Sequence, residues 1–173
     1  MEKLILPSSP FRDIDVYFKR SKDILDGYTV DEEESAWIPY EPRTANRFLM
    51  FDLARNAFAV VLRCEPGSGI AAHYHTGAVV GYSLSGTWKY KEYDWIAKPG
   101  TFILEPAGEA HTLVVVGDEP MVSFFHVMGP HIQLDETGKQ VGYVDAFSLL
   151  DFCRTYYREH GLDPAGLEKI VRR

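Results

Sequence analysis

The sequence predicts an all-β fold, a sandwich or small barrel, followed by a helical C-terminal tail, and three observations carry that expectation. Short apolar runs of strand length recur from Phe48 to Met128: FLMFDL, AFAVVLRCE, IAAHYH, AVVGYSL, TWKYKEYDWI, GTFILE, HTLVVVG and MVSFFHVM. Turn-forming groups separate them, among them Pro66-Gly67-Ser68-Gly69, Pro99-Gly100, Pro106-Ala107-Gly108 and Gly117-Asp118. Many short strands at close spacing are the mark of a sandwich or barrel. The period then changes. In AFSLLDFCRTYYREHGL the apolar residues Phe147, Leu150, Cys153 and Tyr157 recur at three and four, the spacing of a helix.

The elements follow in order. Residues 1–44 read as an N-terminal arm. Within it, Ile14, Phe18 and Leu25 stand at rough helical spacing, which one helix or a shorter helix plus loop would satisfy. Asp31 to Glu34 is an acidic run expected in a solvated loop, and Trp37-Ile38-Pro39-Tyr40 with Pro42 reads as extended chain. The barrel core spans about residues 45–145 and ends in a hairpin, HIQLDETGKQVGYV, turned by Asp135 to Gly138. A helical tail, 146–173, stops at Gly161 ahead of Asp163-Pro164. With 173 residues and no internal repeat, the chain is expected to be one domain.

Composition removes several function classes. Eighteen basic against 25 acidic residues give a net charge of −7, and no basic run is present, so a phosphate-backbone partner is not expected. No apolar stretch reaches the length of a membrane span, and MEKLILPSSP lacks the apolar core of a secretory signal, which predicts a cytoplasmic protein. Cys64 and Cys153 lie far apart without a CxxC spacing and are expected to be buried thiols. The departure from ordinary composition is aromatic: 13% of the chain is Phe, Tyr or Trp.

Chemistry is concentrated in the histidines. His73 and His75 share one face of a strand, their Cα atoms roughly 6.5 Å apart, so two imidazoles can converge on one ion. A third, His111, follows a strand that ends in the turn of Pro106 to Gly108. Glu105 closes that strand. Facing inward, it could hydrogen-bond an imidazole or take a proton from a substrate; facing outward it would be a strand-end carboxylate.

These residues resemble the two motifs of the cupin superfamily. Gly67 or Gly69, His73, His75 and Gly86 meet the first motif loosely, with Val79 or Val80 where its glutamate belongs. Gly100, Pro106, Gly108 and His111 meet the second, with Val115 in place of its final asparagine. The resemblance implies a cupin-type double-stranded β-helix, or jelly-roll barrel, with metal bound by His73, His75 and His111. With no glutamate, the ion would keep three neutral ligands and open positions suited to an anionic, chelating substrate. Imidazole also suits zinc, copper and nickel. The stretch from Ala72 to Leu113, with the length and tail, is similar to the 2,4'-dihydroxyacetophenone dioxygenases and more distantly to the acetylacetone-cleaving dioxygenases. That similarity implies an Fe(II) dioxygenase that cleaves an aromatic hydroxyketone with O2 to 4-hydroxybenzoate and formate, in a dimeric or tetrameric homo-oligomer. A dioxygenase for a β-diketone or another α-hydroxyketone, and a non-catalytic zinc-binding sensory cupin, are the other readings.

The remaining expectations concern the pocket. Trp88, Tyr90, Glu92 and Asp94 share one parity and Lys89, Lys91, Tyr93 and Trp95 the other, and Trp88 and Tyr90 would serve as walls for a phenolic substrate. His126 alternates with Phe124 and reads either as lining the barrel, where it would bind substrate, or as a satisfied core or rim histidine. Glu109 is expected in solvent, and His131 and His160 are assigned no chemistry.

Overall fold

In a computed structural model, residues 27–173 are described. The helical spacing at Ile14, Phe18 and Leu25 lies outside them. The described chain forms strands β1 (Ile38–Pro39), β2 (Thr44–Asp52), β3 (Ala57–Cys64), β4 (Gly69–His75), β5 (Val79–Ser85), β6 (Trp88–Tyr90), β7 (Phe102–Glu105), β8 (Ala110–Val115), β9 (Met121–Met128), β10 (His131–Leu134) and β11 (Gln140–Val144). Helices α1 (Ala146–Glu159) and α2 (Ala165–Lys169) and a last strand, β12 (Val171–Arg172), complete it.

Two sheets make the jelly roll. One has the order β1-β2-β3-β9-β5-β7, and the other β11-β10-β4-β8-β6. Side-chain alternation decides what lies between them. On β9, Met121, Ser123, Phe125 and Val127 are buried while Val122, Phe124 and His126 are only half-buried, so the odd positions face the partner sheet. From β3, Phe58, Val60 and Leu62 join the same interior. Phe48 and Phe51 stack at 5.0 Å within this core, and Phe48 also meets Phe58 at 6.3 Å. Each such buried ring contributes on the order of 2–3 kcal/mol relative to solvent exposure.

The tail closes the edge of the first sheet. Asp145 caps α1 by accepting from the Ser148 amide at 2.8 Å, and the Ser148 hydroxyl accepts from the Asp145 amide at 2.9 Å. The buried stripe of α1 is Ala146, Leu149, Leu150, Cys153 and Tyr157, and Phe147 points out to solvent. Gly161 follows the helix with φ +64°, the left-handed stop that a residue without Cβ takes easily. Beyond it β12 pairs in parallel with Phe51 and Asp52 of β2, and β1 pairs with Ala45 and Asn46 further along. Together they cover an edge that would otherwise expose unpaired backbone.

Two expectations change. The acidic run includes a single 3-10 turn, Glu32–Glu34, whose Glu34 meets Lys169 at 2.6 Å and ties the arm to the tail. The run TWKYKEYDWI is not one strand. It leaves β6 after Tyr90 and turns back so that Ala97 pairs with Trp88, the two amides and carbonyls exchanging bonds of 3.1 and 2.8 Å. The parity assigned to Tyr93 and Trp95 fails for that reason, and Trp95 packs edge-on against Trp88 and Tyr90. Both cysteines are buried free thiols. Among the described residues no helix is long and apolar enough to cross a membrane.

Candidate metal centre

Strand geometry brings the three histidines together from two segments. His73 and His75 project from the same face of β4, and His111 of β8 lies opposite His73 in the antiparallel register. The approach of these strands depends on Gly69, where a Cβ would meet the Leu113 carbonyl oxygen at 1.9 Å. The turn before β8 is tied to the same strand, its Gly108 amide donating to the His75 carbonyl at 2.8 Å. All three imidazoles are buried, and one nitrogen from each lies within 4.8 Å of the others.

The lone pairs of this cluster point inward. His73 Nδ1 lies 2.7 Å from the Ala71 carbonyl, which can only accept, so that nitrogen carries the proton and Nε2 is left bare. His73 Nε2 stands 3.1 Å from His75 Nε2. His75 Nδ1 and both ring nitrogens of His111 are buried with no hydrogen-bond partner among the described residues. Burial holds the His75 ring down to about 2 and that of His111 to about 3, with neighbouring imidazoles pushing the same way. Burial lowers His73 as well. A cluster kept neutral at physiological pH is in the form that ligates metal.

A carboxylate completes the group. Val79, one of the two residues at the place of the first motif's glutamate, is the cross-strand partner of Glu105 on β7. Glu105 therefore stands across the sheet from the position where the motif's acid would be. Glu105 is 3% exposed, so its side chain faces inward, and its Oε2 lies 3.3 Å from His75 Nε2 and 3.5 Å from His111 Nε2. Its Oε1 accepts a hydrogen bond from the Tyr90 hydroxyl, and the Tyr90 ring stacks on His111 at 4.0 Å. Burial raises Glu105 to about 7, against the Tyr90 hydrogen bond, which acts downward. The Tyr90 phenol is raised well above 10, first by burial and then by Glu105.

The other predicted residues separate. Tyr90 borders the chamber beside the cluster. Trp88 does not: it is fully buried behind Tyr90, with Nε1 donating to the Ser83 hydroxyl at 3.3 Å, and so is a core residue rather than a pocket wall. His126 stands with Phe124 and Val80 on the outer face of the first sheet and cannot touch a ligand in the barrel. His160 is exposed at the end of α1, its Nδ1 bonded to the Tyr156 carbonyl.

His131, assigned no chemistry from sequence, belongs to the site. It opens β10 opposite His75 and stacks on His73 with centroids 4.6 Å apart, buried to 8% exposure. Its signal in the sequence was alternation with Gln133 directly after the Gly129-Pro130 turn, which does not say which strand β10 joins.

The chamber above the cluster has a volume of about 80 Å3, room for several waters or one small ligand. Phe58, Val60, Leu62, Ile70, Phe125 and Val127 wall it with apolar surface. One nitrogen each from His73, His75 and His111 within 4.8 Å of the others, with a partnerless Glu105 oxygen beside them, fits a divalent transition metal that these three histidines would hold.

Comparison with known proteins agrees with this architecture. A family model described as the ChrR cupin-like domain matches residues 26–131. An RmlC-like cupin protein from Ralstonia eutropha JMP134 is similar at 26% identity and a TM-score of 0.77, over 81% of this chain and 92% of the other. A second cupin-like protein from the same organism, of unknown function, shares 24% identity at a TM-score of 0.72, over 77% and 86%. An acetylacetone dioxygenase from Acinetobacter johnsonii has the same fold, with a TM-score of 0.69 and 14% identity over 79% of this chain and 96% of that one. No curated protein matches the chain.

Proposed function

The chain belongs to the family of ChrR cupin-like domains, and from that premise we propose that it is a mononuclear non-haem iron(II) dioxygenase cleaving the C–C bond of an aromatic α-hydroxyketone. The leading substrate is 2,4'-dihydroxyacetophenone, with 4-hydroxybenzoate and formate as products. Both atoms of O2 end in the two acids, so the equation balances without a further reductant. The observation that carries the reading is the convergence of three neutral imidazoles and one partnerless carboxylate at the wall of an apolar chamber. The dioxygenase among the structural neighbours supports it at the level of fold.

His73, His75 and His111 would hold the ion. When bound, iron(II) supplies the Lewis acidity and one-electron chemistry that allow O2 to react with a deprotonated ketone. The chain's own contributions are positional. The Ala71 carbonyl holds His73 in the tautomer that leaves Nε2 free. Tyr90 holds Glu105 by Oε1, so that Oε2 stays turned toward the cluster. Oε2 would take the proton that the hydroxyketone gives up and return it to the leaving acid. The apolar walls exclude water and strengthen each of these polar contacts.

The test is O2 uptake by iron-loaded protein with 2,4'-dihydroxyacetophenone and with pentane-2,4-dione, followed by product identification. Glu105→Gln is expected to lower turnover about 100-fold or more while iron content stays at the wild-type level. An absence of O2 uptake with either compound overturns the reading. The family model's own description favours one second reading, a non-catalytic zinc cupin. Zinc retained through chelation, with no oxygenase activity after exchange to iron, would establish that one.

A further inference from the structure

The chamber contains a polar group that the imidazole cluster does not use. Asn46 lies on β2, opposite Leu62 of β3 and Ile38 of β1, and its side chain lines the chamber at 8% exposure. Its neighbours on the strand are satisfied: the Thr44 hydroxyl donates to the Glu41 carbonyl at 3.0 Å, and the Phe48 carbonyl accepts from Ser35 at 2.7 Å. The Asn46 carboxamide makes no hydrogen bond among the described residues. Leu62, Ile70 and Leu113 supply apolar surface to the same chamber, so Asn46 presents a donor and an acceptor from an otherwise greasy wall. Its atoms are not among the fully enclosed partnerless ones of the described residues, so the carboxamide is open to whatever fills the chamber.

Its distance from the cluster follows from the sheet register. Phe51, Phe58, Val127, Val79 and Glu105 form one row across the first sheet. Asn46 belongs to the row of Leu62, four residues further along β3, about 13 Å in the strand direction before the side chains reach inward. A ligand held at the cluster by one end therefore presents its other end toward Asn46. The carboxamide both donates and accepts, as a hydroxyl does, whereas an anion only accepts and a cation only donates.

We infer that Asn46 is a specificity residue that recognises a hydroxyl at the far end of the ligand, selecting hydroxyaryl ketones over their unsubstituted counterparts. The inference rests on the reading of the chamber as a substrate site. Tyr40, partly buried on the same lining, carries a further hydroxyl that the inference does not require.

The test is a binding measurement on the full chain that needs no turnover. 4-Hydroxyacetophenone and acetophenone, which lack the α-hydroxyl and cannot react as substrates, are titrated by tryptophan fluorescence and calorimetry, with and without bound metal. Wild-type protein is expected to prefer the hydroxylated ketone by about tenfold or more. Asn46→Leu removes that preference by weakening 4-hydroxyacetophenone alone. Asn46→Asp, which keeps an acceptor for the phenolic proton, retains most of it, and thermal unfolding shows whether each variant is folded. Equal binding of the two ketones to wild-type protein, binding of neither, or an equal loss for both in Asn46→Leu overturns the inference. Hydroxyl discrimination without O2 uptake would leave it standing while removing the dioxygenase reading, and O2 uptake without discrimination would do the reverse.

Discussion

Replacing Tyr90 by phenylalanine removes one oxygen atom from the contact between β6 and β7, and its effect on stability should depend on pH in a calculable direction. In the unfolded chain Glu105 ionises near 4.5, but in the folded protein burial holds its proton to about 7. Between those values the native state binds the extra proton. Stability is therefore fully present below about 4.5 and is lost as pH rises through about 7. The separation, at 1.4 kcal/mol per factor of ten, amounts to about 3 kcal/mol. The Tyr90 hydroxyl works against this loss because it stabilises the ionised carboxylate. Without it desolvation acts unopposed, the folded carboxyl titrates higher, and the decline continues further into alkaline pH. A hydrogen bond to a neutral carboxyl is worth about 1 kcal/mol and one to a carboxylate about 1.5–3 kcal/mol. Tyr90→Phe should therefore cost about 1 kcal/mol at pH 5.5 and about 2–3 kcal/mol at pH 8.5. Urea unfolding of chelator-treated protein at the two pH values measures the difference. A cost that is the same at both pH values would refute the charge-assisted pairing of Tyr90 with Glu105.

Two further substitutions probe the frame of the site. Gly69→Ala places a methyl group 1.9 Å from the Leu113 carbonyl oxygen and 3.1 Å from the Val114 Cα. Both are backbone atoms of β8 that cannot swing aside, so unfolding measurements should show a loss of about 3 kcal/mol or more, with weaker metal retention because the same pairing aligns His73 with His111. His131→Leu keeps the bulk stacked on His73 but removes two ring nitrogens. Metal analysis should find the wild-type stoichiometry; loss of the metal would instead make His131 a ligand.

The features that were legible in the sequence are those that depend on neighbours along the chain. His73 and His75 share a face because any strand places i and i+2 together, and the Pro106 to Gly108 turn sets where β8 begins. The residues misjudged share one cause. Alternation grouped His126 with Phe124 correctly, yet a strand has two faces, and the pairing of β9 between β3 and β5 decided that this one looks outward. Trp88 and Tyr90 likewise share parity, but only Tyr90 reaches the chamber, because Trp88 sits deeper against Ser83. His131 was passed over because nothing near it in sequence announces β4 as its partner. Glu105 closes its strand ahead of the Pro106 turn, although its inward orientation is not readable from that position.

By itself the sequence determined the number and order of most strands, the tail helix with its stop at Gly161, and the three histidines that lie on two strands. Those properties follow from periodicity, turn chemistry and capping, which act over a few residues. The tertiary structure alone decided that Glu105 stands across from Val79 and faces inward, that His131 stacks on His73, and that Asn46 lines the same chamber. Each of these depends on a hydrogen-bonded register between strands distant in sequence, or on the facing of one sheet by another, and neither is encoded in any local stretch of side chains.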